Sequence, residues 1–198
     1  MNYRKAKLLF KNNIIGPDEF DKFPSDFHVK IGKNYDSINL KIKDLDYSKY
    51  ILVYGPNHFT SGDFVNIKNI FSIFGTKVKP NSINFYNQDW YFNEEFCSKG
   101  LKNKWYLIKK DVIKESRGSI PSKKFINNLP NATLCTFVFF SWWLKTKEIL
   151  WENDFIWCSD FDSHGDQIYV GKYRDLVNPR RSGFSIHRHL SIRNNYGC

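Results

Sequence analysis

The stretch that decides the fold runs from Trp157 to Arg193 and reads WCSDFDSHGDQIYVGKYRDLVNPRRSGFSIHRHLSIR. Runs of β-branched and aromatic residues alternate in it with turn-forming Asp, Gly and Asn-Pro, a pattern typical of an antiparallel meander. We therefore expect a tight turn at 162–166, a longer loop at 175–183, and strands over 155–158, 168–170 and 184–193.

The longest apolar stretch lies upstream, at residues 131–150, and reads NATLCTFVFFSWWLKTKEIL. Its length favours a helix, whereas its Thr, Val and aromatic content favours a strand. We predict a helix, with Asn131 as the N-terminal cap. Each of its large aromatic side chains would bury about 150–250 Å², so this segment is expected to be the main hydrophobic anchor.

Earlier in the chain, the run YILVY at 50–54 predicts a buried strand, and the spacing of apolar residues over 67–74 predicts an amphipathic helix. A further helix is expected over 87–98. The loop between the first two elements, GPNHFTSGD, lacks a P-loop lysine and the Rossmann glycine spacing, so we interpret it as an ordinary strand-to-helix connection.

Together these elements predict an α+β fold in which several helices pack on a mostly antiparallel sheet, with the three-stranded meander at the C-terminal end. A chain of 198 residues fits one globular domain, 1–198, and two sub-lobes, 1–130 and 131–198, are the alternative.

The composition also predicts the compartment. The longest apolar run, Leu134 to Leu144, carries Thr136 and Ser141 and is far shorter than the roughly 18 residues that a membrane-spanning helix needs, so we expect no membrane association. The first ten residues lack the apolar core of a signal peptide. The four cysteines show no C-x-x-C or zinc spacing. We therefore expect a cytoplasmic protein.

The charge points to a polyanion partner. The formal net charge is +10, and residues 99–124 hold nine Lys and Arg against only two acidic residues. A surface of this kind attracts phosphate groups. A purely compositional lysine excess that serves solubility is the alternative.

A compositional excess of lysine explains the arginines less well, because five of the seven arginines lie after residue 173, where no lysine occurs. The planar guanidinium suits bidentate contacts with phosphate, although it pairs equally well with the chain's own carboxylates. The predicted nucleic-acid or phosphate contacts in segments 99–124 and 172–193 are Lys109, Lys110, Lys114, Arg117, Lys123, Lys124, Arg174, Arg180, Arg181, Arg188 and Arg193.

A candidate metal site lies in the same C-terminal segment. His187 and His189 share one face of the predicted last strand, and Asp160 and Asp162 end a neighbouring strand. These four residues are a feasible ligand set for Mg²⁺ or Mn²⁺, with His187, His189 and Asp160 as the catalytic candidates. The alternative places both histidines on a solvent-facing side, bonded to Ser or Asp.

Two motif comparisons exclude narrower assignments. Residues 160–166 read DFDSHGD, as in the first half of a calcium loop, but position 171 is glycine where that loop requires glutamate, so a hairpin turn is favoured. The segment IYVGK at 168–172 resembles the second half of the GIY-YIG nuclease signature. No Gly-Ile-Tyr precedes it and no glutamate follows Glu152, so the family is not assigned.

Three functional hypotheses remain. The first is a protein that binds nucleic acid or another polyanion, with exposed aromatic side chains stacking on bases. The second is a divalent-metal-dependent phosphodiesterase or nuclease. The third is a structural or oligomeric interaction protein without catalysis. The basic segments rank polyanion binding first.

Overall fold

The computed structural model describes residues 1–40, 45–77, 83–86, 88–121, 123–152, 154–178, 182–188 and 196–198. The side chains of Lys123, Lys124 and Tyr196 lie outside this description. By its internal contacts the chain divides into two compact units: unit 1 comprises 1–65 and 100–111, and unit 2 comprises 66–99 and 112–198. The boundaries differ from those of the predicted sub-lobes, and the number of domains stays a prediction.

Unit 1 contains a three-stranded sheet in the order β1-β2-β3, formed by Ile14–Ile15, Tyr50–Gly55 and Lys104–Lys109. β1 is parallel to β2, and β2 pairs antiparallel with β3 in a register that sets Tyr50 opposite Lys109 and Gly55 opposite Lys104. The predicted strand at 50–54 is confirmed: its apolar run is buried from Ile51 onward. Helices α1, Tyr3–Phe10, and α2, Pro17–Phe20, complete this unit together with 3₁₀ turns at Lys11–Asn13, Ser25–Phe27 and Tyr47–Lys49.

Unit 2 is organised around helix α6, Ala132–Thr146, which confirms the helical interpretation of 131–150. Asn131 accepts the backbone N–H of Leu134 at 2.7 Å, and the helix ends at Lys147 in the left-handed conformation. Because the helix is apolar on nearly every side, it is buried from Ala132 through Trp142. It packs against helix α3, Ile67–Phe74, and against the sheet of this unit.

That sheet has the order β6-β5-β4-β7, with strands β4 Phe155–Phe161, β5 Gln167–Tyr173, β6 Gly183–His187 and β7 Tyr196–Gly197. β4, β5 and β6 pair antiparallel, which confirms the predicted C-terminal meander, and β7 adds a parallel edge strand beside β4. The α+β class is therefore confirmed. The predicted third strand is described as far as His187, and residues 189–195 lie outside the described part.

The predicted helix over 87–98 is wrong in its continuity. A 3₁₀ turn at Trp90–Asn93 is followed by the short helix α4, Glu95–Ser98, because Glu94 between them adopts an extended conformation. Unit 2 also contains α5, Lys123–Ile126, and a 3₁₀ turn at Lys114–Ser116. Among the described residues, no helix combines the length and the apolar character that crossing a membrane would require.

Candidate nucleic-acid interface

The turn between β4 and β5 is built by Asp162. Its Oδ1 accepts the backbone N–H groups of His164 and Asp166 at 2.9 and 2.8 Å, and Gly165 adopts the left-handed conformation. Asp162 thus uses its carboxylate to shape a hairpin turn, as the sequence predicted for this calcium-loop-like segment.

The second carboxylate oxygen of Asp162 binds Arg188. The guanidinium Nη1 of Arg188 lies 2.7 Å from Asp162 Oδ2, 3.3 Å from His164 Nδ1 and 3.7 Å from Glu94 Oε1. The same guanidinium stacks 4.4 Å from the ring centre of Trp90. Burial opposes the ionisation of Asp162, but the bonds from Arg188 and from backbone N–H groups outweigh it and lower the pKa of Asp162 to about 2.

Glu94, Asp162 and His164 are the group of potential metal ligands that the described residues bring together, with their ligand atoms within 4.8 Å of one another. Two carboxylates and an imidazole suit Mn²⁺ or Zn²⁺ chemically. The guanidinium of Arg188 already contacts all three side chains, however. It supplies in the fold the positive charge that a metal ion would otherwise bring.

The other predicted metal ligands lie outside this group. Asp160 accepts the backbone N–H of Ala132 at 2.6 Å at the start of α6, and burial raises the pKa of its carboxyl group. His187 lies within hydrogen-bonding distance of Ser185 Oγ, at 2.8 Å, and stacks on Tyr169 with ring centres 5.4 Å apart. Burial lowers the pKa of His187 to about 4. His189 lies outside the described residues, so the catalytic role of Asp160, His187 and His189 stays a prediction.

Two of the predicted phosphate-binding arginines pair with acidic residues of the chain itself. Arg117 forms a bidentate ion pair with Asp154, at 2.6 and 2.8 Å, and Arg188 pairs with Asp162. Arg174 is exposed at the end of β5. The backbones of Arg180, Arg181 and Arg193, and the side chains of Lys123 and Lys124, lie outside the described part.

The lysines of the first basic segment fall in both units. Lys109 and Lys110 belong to unit 1, where the Lys109 ammonium lies 5.7 Å from the ring centre of Tyr50. Lys114 belongs to unit 2 and is exposed. The same segment contributes Lys102 and Lys104 to unit 1, and these two adjoin a surface that the sequence did not indicate.

That surface is centred on a small hairpin after β2, over residues 57–65. Val65 N–H donates to Asn57 O at 2.9 Å and Phe59 N–H donates to Asp63 O at 2.9 Å, which sets His58 and Phe64 opposite each other. Their rings stack with centres 4.6 Å apart and an interplanar angle of 30°. Phe64 is 51% exposed, whereas Phe59 is buried against Phe27.

Two neighbouring segments are bonded to this hairpin. Lys30 N–H donates to His58 O at 2.8 Å, which joins the segment 28–33 to one side. On the other side, Asn103 Oδ1 accepts the N–H of Asn57 at 2.9 Å, and Leu101 N–H donates to Val65 O at 3.1 Å. Four exposed lysines lie on these two neighbouring segments and are here called the lysine surface: Lys30, Lys33, Lys102 and Lys104.

Tyr106 fixes the segment of Lys102 and Lys104 to the sheet. Its ring lies against Gly55, where any Cβ would overlap it, and its hydroxyl bonds to the backbone of Lys102. The ammonium of Lys104 lies 4.8 Å from the ring centre of Tyr106. Lys33 also lines an open groove of about 590 Å³, whose other lining residues are Met1, Asn2, Lys5, Asn34, Asp36 and Ser37. In the described part of the chain, no acidic side chain forms an ion pair with a member of the lysine surface.

Sequence reasoning missed Phe64, His58 and Asn103, because the strand-to-helix pattern around the loop favours an ordinary connection. The available signal of a hairpin with facing aromatic side chains is the pair of segments on either side of Gly62, Asn57-His58-Phe59 and Asp63-Phe64. Glu94 and His164 are likewise absent from the predicted metal set. Glu94 lies 68 positions before Asp162 in the chain, and His164 lies in the segment that is interpreted as a hairpin turn.

Comparison of the chain with protein-family models, with curated proteins and with solved structures found no match.

Proposed function

We propose that this protein binds nucleic acid through the lysine surface of unit 1. The proposal rests on one observation: backbone and side-chain hydrogen bonds join the segments 28–33 and 100–104 to the hairpin at 57–65. By sequence these segments hold four lysines and a single acidic residue, Asp63. The same unit carries 14 Lys and Arg against nine Asp and Glu.

A phosphate backbone is the polyanion that such a surface fits best. Lysines that neutralise phosphates release condensed counterions, so the affinity falls as salt rises, with a slope of about −0.7 per contacted phosphate on single strands. Long-range attraction to a positive surface also accelerates encounter with nucleic acid.

The experiment is a salt titration of oligonucleotide binding by fluorescence anisotropy, with the wild type and the double variant K102Q/K104Q. The loss of two phosphate contacts should weaken binding at low salt and make the slope of log affinity against log salt less steep by about 1.4. The matched control is K11Q/K49Q, which removes the same charge near the start of β2, where Asn13 bonds to the carbonyls of Tyr47 and Ser48.

Equal loss of affinity in both double variants would assign the effect to net charge and contradict a site at Lys102 and Lys104. Affinity that does not change between low and moderate salt in the wild type would contradict nucleic-acid binding itself.

The Glu94–Asp162–His164 group supports a second candidate, the divalent-metal-dependent phosphodiesterase. It is supported less well, because Arg188 already neutralises the carboxylates. The test is cleavage of labelled single- and double-stranded substrates in Mg²⁺ or Mn²⁺, with H164A as the variant; activity that H164A abolishes would favour the enzyme over a binding protein.

The interaction-protein hypothesis stays a prediction, as does a cytoplasmic location. All four cysteines, Cys97, Cys135, Cys158 and Cys198, carry unpaired thiols. Unpaired thiols are typical of proteins in reducing compartments and support the proposed location.

A further inference from the structure

The His58–Phe64 pair is the feature of unit 1 that the lysine surface does not explain. Phosphate contacts do not require an aromatic side chain, yet the hairpin to which the two lysine-bearing segments are bonded presents a half-exposed aromatic ring. A single exposed aromatic side chain is ordinary on a protein surface. Here the ring is stacked on a second ring and held by hydrogen-bonded backbone on both sides, which makes it a built feature.

The position of the Phe64 ring is set by its neighbours. Opposite it lies His58, whose carbonyl is bonded to Lys30, and beside it lies Gly100, where an added Cβ would be only 3.3 Å from Phe64 Cδ1. The hairpin itself is anchored by buried Phe59. A ring that is already ordered loses little conformational freedom when a ligand stacks on it.

We infer that the His58–Phe64 pair is a stacking platform for an unpaired base, so that single-stranded nucleic acid is the ligand class of the lysine surface. This inference rests on the proposed function. Bases of a single strand expose their faces and stack on aromatic side chains, whereas the faces of bases inside a duplex are covered by their neighbours.

The surroundings of the platform match such a ligand. Lys30 and Lys102 are exposed and lie on the segments bonded to either side of the hairpin, so we expect their ammonium groups to contact the phosphates that flank a stacked base. Asn57 directly precedes His58, and its Oδ1 would be 3.5 Å from a Cβ at Gly100. Asn103 Oδ1 accepts the N–H of Asn57. Amide groups at this place are suited to hydrogen bonding with base edges.

The test compares three probes of equal length: a 15-nucleotide oligothymidylate, an abasic strand with the same phosphates, and a duplex. Each is titrated against the wild type, Phe64→Leu and Phe64→Trp. Leucine keeps an apolar side chain but removes the ring, and tryptophan keeps a larger ring. Loss of one stacked base should weaken oligothymidylate binding by about tenfold in Phe64→Leu.

The expected result is that the wild type prefers oligothymidylate to the abasic strand and to the duplex. Phe64→Leu should lose this preference while its affinity for the abasic strand is unchanged, and Phe64→Trp should retain the preference. Unchanged thermal unfolding of Phe64→Leu, measured in parallel, separates loss of stacking from loss of the fold.

Two outcomes would overturn the inference without contradicting the proposed function. Equal affinity of the wild type for oligothymidylate and the abasic strand contradicts stacking, and tighter binding of the duplex contradicts the ligand class. In both cases nucleic-acid binding still stands. If none of the three probes binds, and an acidic polypeptide such as polyglutamate binds instead, the proposed function and the inference fail together.

Discussion

Arg188 Nη1 lies 2.7 Å from Asp162 Oδ2, at the point where Glu94 and His164 also converge. The Asp162 side chain is fully buried and that of Arg188 is 25% exposed, so the pair is largely shielded from water. An intramolecular cation of this kind ties the chain just after β6 to the turn that joins β4 and β5.

Removal of Arg188 should therefore destabilise unit 2. Arg188→Ala leaves two carboxylates facing an imidazole without a counter-ion, and we expect a loss of about 3 kcal/mol in the free energy of unfolding. Mn²⁺ should restore part of this loss in the variant and have little effect on the wild type, because the ion would take the place of the guanidinium. Chemical denaturation with and without Mn²⁺ measures both effects.

Arg174→Ala, which removes the same charge from an exposed position, is the control and should change stability little. A wild type that Mn²⁺ stabilises as strongly as it does Arg188→Ala would show that the arginine does not occupy the cation position.

His187 should make the protein sensitive to mild acid. Its pKa is about 4 in the folded state because of burial, below the ordinary value of 6.5, so the unfolded chain binds the proton more readily. Stability is then complete above about pH 6.5 and is lost as the pH falls toward 4, by up to about 3 kcal/mol. His187→Phe retains a ring beside Tyr169 but cannot titrate, and it should flatten this part of the pH profile. An unchanged profile would assign the acid sensitivity to another group.

Asp162 should affect stability at a lower pH than His187 does. Its folded pKa of about 2 lies below the ordinary 3.8, so its contribution is present above about pH 4 and is lost only as the pH falls from there toward 2. The two windows are separate, so a pH series of unfolding midpoints in the wild type and His187→Phe distinguishes the two groups.

Asp160 should behave as a helix cap. Asp160→Asn keeps an oxygen that can accept the N–H of Ala132 and removes a charge that burial disfavours, so we expect it to be at least as stable as the wild type at pH 7. Asp160→Ala removes the acceptor and should cost about 1 kcal/mol. Thermal unfolding of the two variants tests this expectation. Equal destabilisation by Asp160→Asn and Asp160→Ala would mean that the charge of Asp160 itself is needed.

Gly171 should be irreplaceable for reasons of space. A Cβ at Gly171 would overlap the carbonyl oxygen of Asp154, whereas a Cβ at Gly165 would meet nothing within 4 Å. Gly171→Ala is therefore expected to cost more than about 3 kcal/mol. Gly165→Ala should cost only the strain of its left-handed backbone, about 1 kcal/mol. The comparison of the two alanine variants by thermal unfolding tests this, and equal costs would contradict it.

The same contact accounts for the glycine in residues 168–172, the segment that resembles a nuclease signature. The backbone of Asp154 approaches β5 there too closely for any side chain at position 171.

Several elements follow from local sequence with little help from tertiary contacts. Periodicity and length predict the strand at 50–54, the helix at 67–74 and the helix at 131–150, and the caps of the two helices are their neighbours in the chain. The cap of the helix at 67–74 is Asn66, whose side chain accepts the N–H of Asn69.

The sequence by itself determined the α+β class, the C-terminal meander, the buried aromatic helix and the positive charge, because periodicity, turn residues and charge act over a few neighbouring residues. Only the tertiary structure decided that Phe64 stacks on His58 beside the segment of Asn103, and that Arg188 forms an ion pair with Asp162. Some of these contacts join residues that lie up to 46 positions apart. The contact between His58 and Phe64 depends on how the hairpin folds back. Local patterns carry no record of such distances, so they are set by the way distant segments pack.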